Sequence, residues 1–302
     1  MIQQLEDGTP EYKTSDYLKS FFNDKINQPF KNKPLTSSWR KEVIEPYKKR
    51  EYTRIREVID GGQADFDQEY NRLTPKERVL LYCYAGNFEQ HLVSQMYIFE
   101  NHNDIFKQYI SAPNQVVFID FGCGPATSGV AIARYYSESA SDVEDPLIIN
   151  YIGIDSSNTM LEKAQDFCKY PSLFHEDSNF RFIPVTSDKI DLLEYLDTSV
   201  SKESVILLNF SYLFASATLM VQDLVEVVQR LSNKYPNRMV MLFQNPYGPE
   251  YNEKWYQFKA LMTDFRSVVG GERYIKICYR TNTGDSVKLR DTKLYYDIRV
   301  TG

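Results

Sequence analysis

Five stretches in the second half of the chain are apolar at consecutive positions: "NQVVFIDFG", "PLIINYIGID", "NFRFIPVT", "ESVILLNF" and "RMVMLFQNP". Successive side chains of a strand point to opposite faces. An unbroken run of Val, Ile, Leu and Phe therefore predicts a strand buried on both faces of a parallel sheet. The stretches "ATSGVAIARYYSE", "SNTMLEKAQDFCKY", "ATLMVQDLVEVVQRLSNKY" and "PEYNEKWYQFKALMTDF" carry helical patterns and follow the first, second, fourth and fifth runs. Strands alternating with helices predict right-handed βαβ units and a three-layer α/β domain. The last two apolar runs, "ERYIKICYRT" and "TKLYYDIRV", have only the turn-rich "NTGDSVKLRD" between them. They predict an antiparallel hairpin, and so a mostly parallel seven-stranded sheet.

The first hundred or so residues show no strand signal. "TPKERVLLYCYAGNFEQHLVSQMYIFENHNDIFKQYI" opens with Thr74-Pro75 and Glu77, a helix start, and continues with apolar residues at helical spacing. "SSWRKEVIEPYKKREYTRIREVIDGG" predicts a second helical stretch, interrupted near Pro46 and stopped at Gly61-Gly62. Residues 1–112 are therefore expected to form a helical cap or lid, and residues 113–302 the sheet domain. Pro113 and Asn114 mark the junction, because they do not easily continue a helix.

Composition narrows the function. The chain has 302 residues, 42% hydrophobic and 25% charged, which is ample for a sizeable core. Its formal net charge of -6 disfavours a large polyanionic partner, except at a local basic patch. No run of about 18 apolar residues exists, so no membrane span is expected. The start "MIQQLEDGTPEYKTSDYLKS" lacks the basic and apolar segments of a secretory signal. Cys83, Cys123, Cys168 and Cys278 are scattered, as expected of reduced thiols in a cytoplasmic protein, and no metal site is expected. His91, His102 and His175 form no ligand motif and are expected to be packing or surface residues.

The candidate chemistry lies after the first parallel strand, in Asp120-Phe-Gly122-Cys123-Gly124-Pro-Ala126. Glycines there let backbone approach a ligand, and the next helix offers free N–H groups. Thr127 stands where the dinucleotide fingerprint needs a third glycine, which argues against a nucleotide-dependent oxidoreductase. No Gly-Lys-Ser/Thr follows, so the stretch is not a phosphate-binding P-loop.

"DFGCGPAT" resembles motif I of the class I S-adenosylmethionine (SAM)-dependent methyltransferases, acidic-x-Gly-x-Gly-x-Gly, with Ala126 in place of the last glycine. "YIGIDSSNTMLEKA" resembles the next signature, a second strand ending in an acidic residue, here Asp155. The resemblance runs from about residue 116 to 300. It implies the Rossmann-like methyltransferase fold with SAM as cofactor. It also implies that Asp120 orients the amino-acid part over Gly122, Cys123 and Gly124, and that Asp155 accepts the ribose hydroxyls. Ser156 follows Asp155, Met160 would pack near the adenine, and Asp188, or Ser187 beside it, would meet the adenine amino group. A carboxylate is the natural acceptor for two vicinal hydroxyls.

Methyl transfer needs alignment and exclusion of water. The fourth strand ends in Asn209-Phe210-Ser211-Tyr212. Asn209 and Tyr212 resemble the ends of the Asp/Asn/Ser-Pro-Pro-Tyr/Phe motif of amine and amide methyltransferases. Phe210 and Ser211 replace both prolines, so the expectation is a general pocket lining near the sulfonium rather than nucleobase or glutamine specificity. Asn245, Tyr247 and Tyr251 in "FQNPYGPEY" could reach the same cleft, but a Pro/Gly turn is the better reading.

A basic stretch, residues 31–56, carries Lys31, Lys33, Arg40, Lys41, Lys48, Lys49, Arg50, Arg54 and Arg56, with Trp39, Tyr47 and Tyr52 interleaved. It could hold RNA, though a solvated helix face with pairs such as Glu45–Lys49 is the commoner meaning. The expectation is a SAM-dependent methyltransferase with an acceptor ranked small molecule, then protein, then RNA. The rival expectation is a catalytically silent, methyltransferase-like module acting in a complex.

Overall fold

The computed structural model describes residues 1–110, 116–140, 147–185, 204–236 and 239–301. In chain order the strands are β1 (Ile2–Gln4), β2 (Pro10–Tyr12), β3 (Val116–Phe121), β4 (Asn150–Asp155), β5 (Asn179–Pro184), β6 (Val205–Ser211), β7 (Met239–Pro246), β8 (Phe265–Ser267), β9 (Arg273–Arg280) and β10 (Leu289–Thr301). They form one sheet in the order β1-β2-β9-β10-β7-β6-β3-β4-β5, with β8 paired to β10. Strands β3 to β7 are parallel, and β10 runs antiparallel between β7 and β9. The five parallel strands and terminal hairpin of the sequence reading are all present. This is the expected mostly parallel, Rossmann-like sheet with its antiparallel C-terminal hairpin.

Three strands were not expected. β1 and β2 extend the sheet edge beyond β9, where Glu11 and Tyr12 pair with Cys278 and Tyr279. β8 begins at Phe265, the last residue of the expected last helix, which itself ends at Leu261. Each has three residues, too few for an alternation pattern to register. Residues 1–12 therefore belong partly to the sheet, and the expectation of an all-helical N-terminal region is corrected.

Alternation along β3 divides the core between the two faces of the sheet. Val117 and Ile119 face the helices Val221–Lys234 and Pro249–Leu261. Phe118 faces the helices Thr127–Tyr135 and Asn158–Cys168. The N-terminal helices join that second layer: Leu18, Phe21, Trp39, Leu92 and Met96 share the apolar core of Phe118 and Leu242. Phe21 lies 5.9 Å from Phe88 and 5.0 Å from Phe167, ring centre to ring centre. Burying each such ring contributes about 1.5–3 kcal/mol. The expected junction at Pro113 and Asn114 lies outside the described residues.

Pro46 does not break its helix. A widened π turn, Arg40–Ile44, precedes Glu45–Lys48. Such a turn accommodates a proline ring that would otherwise clash with an earlier carbonyl. The break comes at Arg50, where φ is 60°. The long stretch after Thr74 is likewise three helices: Pro75–Tyr84, Asn87–Asn101 and Asn103–Ile110. The first ends at Gly86, with φ of 101°. Its start is the expected capping box of Thr74 and Glu77. Among the described residues, no helix is long and apolar enough to cross a membrane.

Candidate functional site

The parallel strands end at one edge of the sheet, and the expected site residues collect there. After β3 the chain turns through Gly122 (φ 69°), Gly124 (φ 51°) and Ala126 (φ 58°) into the helix Thr127–Tyr135. The Gly122 and Cys123 N–H groups donate to the Ile154 carbonyl at 2.8 and 3.0 Å, which pins the turn to β4. The Gly124 N–H donates to Asp155 Oδ2 at 2.8 Å. A β-carbon on Gly124 would meet nothing within 4 Å, so the backbone there faces open space. The following helix has no side-chain cap, and the N–H groups of a helix's first turn have no partner within the helix. Cys123 is buried, and burial pushes its thiol well above the ordinary range. Only its backbone suits a ligand.

Asp155 is half-buried at the end of β4, and its Oδ1 also accepts from the Ser157 N–H at 2.9 Å. Burial raises its pKa, while the Ser157 and Gly124 N–H groups oppose that rise. Each carboxylate oxygen has further lone pairs for a ligand hydroxyl. Ser156 is exposed beside it and Met160 is buried beneath. Asp188 and Ser187 lie outside the described residues.

Behind the turn is a buried polar network that the sequence did not announce. Asp120, 1% exposed, accepts from the Tyr151 hydroxyl and from Asn209 Nδ2, both at 2.7 Å. Asn209 Nδ2 also donates to Ser128 Oγ at 2.9 Å, and Asn209 Oδ1 accepts from Gln95 Nε2 at 3.1 Å. Burial lifts the Asp120 pKa to about 7, against the lowering effect of the Tyr151 and Asn209 hydrogen bonds. Asp120 and Asn209 thus form the wall behind the turn, and both amide hydrogens of Asn209 are already engaged.

Tyr212 has φ of 60°, a conformation that a non-glycine residue holds only under constraint. Three contacts hold it. Its N–H donates to the Gln244 carbonyl at 2.8 Å. Its ring stacks on His91 at 3.7 Å, and its hydroxyl lies 3.4 Å from Ser94 Oγ. Burial lowers the His91 pKa to about 3, so the imidazole is neutral at pH 7. Gln95 Oε1 and Gln244 Oε1 are buried with no hydrogen-bond partner among the described residues. Such groups are costly unless a ligand or water completes them. Asn245 ties down the next turn through Tyr251 O and Asn252 Oδ1, while Tyr247 and Tyr251 are exposed. The turn reading of that segment fits this geometry.

The N-terminal half reaches the site twice. His91, Ser94 and Gln95 share one face of the helix Asn87–Asn101. Polar residues at core-facing spacing were the available signal. Asp67 caps the helix after β4, accepting from the Asn158 and Thr159 N–H groups at 2.8 Å each and from Ser157 Oγ at 2.9 Å. Those hydrogen bonds hold its pKa low despite burial. A lone acid in a loop gave no signal. In the basic stretch, Lys33 pairs with Glu77 at 3.1 Å and Arg54 with Glu42 at 2.6 Å. Trp39 is fully buried and cannot stack on a base.

No protein-family model matches the chain, and no curated protein matches it. Similar solved structures include a precorrin-6Y C5,15-methyltransferase from Geobacter metallireducens. It is 9% identical with a TM-score of 0.39, over 66% of this chain and 87% of that one. Magnesium protoporphyrin IX methyltransferase from Synechocystis, with bound SAM, is 12% identical with a TM-score of 0.36, over 90% of this chain and 100% of that one. A putative rRNA methylase from Clostridium thermocellum is 10% identical with a TM-score of 0.38, over 67% of this chain and 96% of that one. The fold assignment stands on the strand order and direction.

Proposed function

We propose that the chain is a SAM-dependent methyltransferase whose acceptor is a small molecule in preference to a protein or RNA. The observation that carries this reading is the meeting of the Gly124 N–H with the Asp155 carboxylate at 2.8 Å. It brings the open glycine turn and the acidic strand end to one point. When bound, SAM supplies an electrophilic methyl group. Asp155 would accept the two ribose hydroxyls with its remaining lone pairs. Gly122, Cys123 and Gly124 would present backbone to the amino-acid part, and Asp120 would orient it. Ser156 and Met160 would border the adenine, with Asp188 at its amino group. Tyr212, held against His91, would line the acceptor side with Asn209 behind it. The N-terminal helices would exclude water and open for product release.

One observation favours a second reading, a silent methyltransferase-like module. Asn209 has no amide hydrogen left for an acceptor. A transfer assay with methyl-labelled SAM separates the two. Label passing to a metabolite, protein or RNA fraction supports the enzyme. SAM binding with no transfer to any of the three supports the module.

A further inference from the structure

The β9–β10 loop lies at the same edge of the sheet as the glycine turn, because β9 and β7 both run antiparallel to β10. Beside it is a cavity of about 210 Å3, lined by Tyr47, Lys48, Arg50, Tyr52, Lys288 and Arg290 together with the loop itself. Four cations face one acid there, Asp285. Asp285 already accepts from the Tyr84 hydroxyl at 2.8 Å. Among the described residues, none of the four cations has an ion-pair partner. In a chain of net charge -6, this local excess of positive charge is a focused field for an anion.

The cavity wall is built rather than loose. Glu89, fully buried, accepts from the Asn282 N–H at 2.6 Å, from Asn282 Nδ2 and Thr283 Oγ1 at 2.8 Å, and from the Thr283 N–H at 3.2 Å. Asn27 bonds the Asn282 carbonyl at 2.7 Å and the Gly284 N–H at 3.3 Å. Tyr47 and Tyr52 meet edge to face at 5.9 Å, and the Lys288 ammonium lies 5.9 Å from the Tyr52 ring.

We propose that this cavity is an anion subsite for the phosphate of a small phosphomonoester, and that this phosphomonoester is the methyl acceptor. A phosphomonoester carries up to about two charges on three acceptor oxygens, a better match for four cations than a carboxylate. Arginine binds such a group bidentately. The volume is below the roughly 300–1,000 Å3 of a pocket for a whole drug-sized ligand, so it takes one end of a molecule. The helix Asn87–Asn101 connects the subsite to the cleft. Glu89 holds the loop, and Gln95, six residues on, bonds Asn209. The two residues lie about 9 Å apart along the helix axis at ~1.5 Å per residue, so one rigid element supports both the loop beside the subsite and the wall behind the glycine turn. The acceptor role rests on the methyl-transfer reading; the anion site does not.

The test is calorimetric titration of the full chain with inorganic phosphate, phenyl phosphate and benzoate at low salt, with SAM titrated into the same preparations. Phenyl phosphate is expected to bind at least about tenfold tighter than benzoate, and Arg50→Gln or Lys288→Gln to weaken it about tenfold each. SAM affinity should be unchanged in both variants. Both residues are exposed, and circular dichroism confirms that the variants fold. Phosphate that does not bind, or binding indifferent to both substitutions, overturns the subsite. So does single-stranded RNA that binds with length-dependent affinity while phenyl phosphate does not. Phosphate binding without SAM binding leaves the anion site standing and removes its role in methyl transfer. SAM binding without phosphate binding does the reverse.

Discussion

Two ends of one sheet edge carry polar groups in opposite ways. Behind the glycine turn, Asp120, Asn209, Tyr151, Ser128 and Gln95 are buried and bonded to one another. At the end of β9 and the start of β10, Lys48, Arg50, Lys288 and Arg290 are exposed around Asp285 and, among the described residues, make no ion pair. A buried, paired network fixes geometry, and losing one member leaves several groups orphaned. An exposed cationic cluster contributes little to the fold and is free to bind. Substitutions at the first end should therefore register in stability, and those at the second in ligand affinity.

The largest effect concerns pH. Burial raises the Asp120 pKa from an ordinary 3.8 to about 7. The folded chain therefore holds a proton that the unfolded chain has lost between those values. This contribution to stability is fully present below about pH 4 and is lost as pH rises through 7, amounting to about 4 kcal/mol. Urea unfolding from pH 4.5 to 8 should show wild type losing more stability than Asp120→Asn across that window. Parallel curves would contradict the buried network. Next, Asn209→Ala should cost about 3 kcal/mol, because it orphans Asp120, Ser128 and Gln95 together. A loss below 1 kcal/mol in the same assay would show the network to be loose.

Asp67→Ala tests the link between the N-terminal half and the helix after β4. Losing this cap should cost about 1 kcal/mol. An unchanged unfolding midpoint would mean that Asp67 does not hold the helix. Arg50→Gln sits at the other end of the comparison and should change stability by no more than about 0.5 kcal/mol. A larger loss would make the cationic cluster part of the fold.

The sheet was legible because buried parallel strands are written as continuous apolar runs, and β3 to β7 carry them. The glycine turn and Asp155 were legible because backbone approach and strand-end acids leave local patterns. The rest depends on long-range contact. β1 and β2 count as strands because they pair with each other and β2 pairs with β9, where Glu11 meets Cys278, 267 positions away. Asp67 matters because folding brings it to Ser157 and Asn158, 90 and 91 positions away. Asn209 looked like an acceptor-facing residue from its motif. Its engagement with Asp120 and Gln95 follows from the helix Asn87–Asn101 crossing that edge. The basic stretch hinted at a polyanion, but folding sends Trp39 inward and pairs Lys33 and Arg54, leaving Lys48 and Arg50 at the rim.

The central claim is that the glycine turn and Asp155 together hold SAM. Calorimetric titration of wild type and Asp155→Ala with SAM and with S-adenosylhomocysteine tests it most directly. The account predicts micromolar binding of both by wild type, weakened by about 1–3 kcal/mol in the variant as hydroxyl partners are lost. Absence of binding by wild type, or equal binding by the variant, would contradict it.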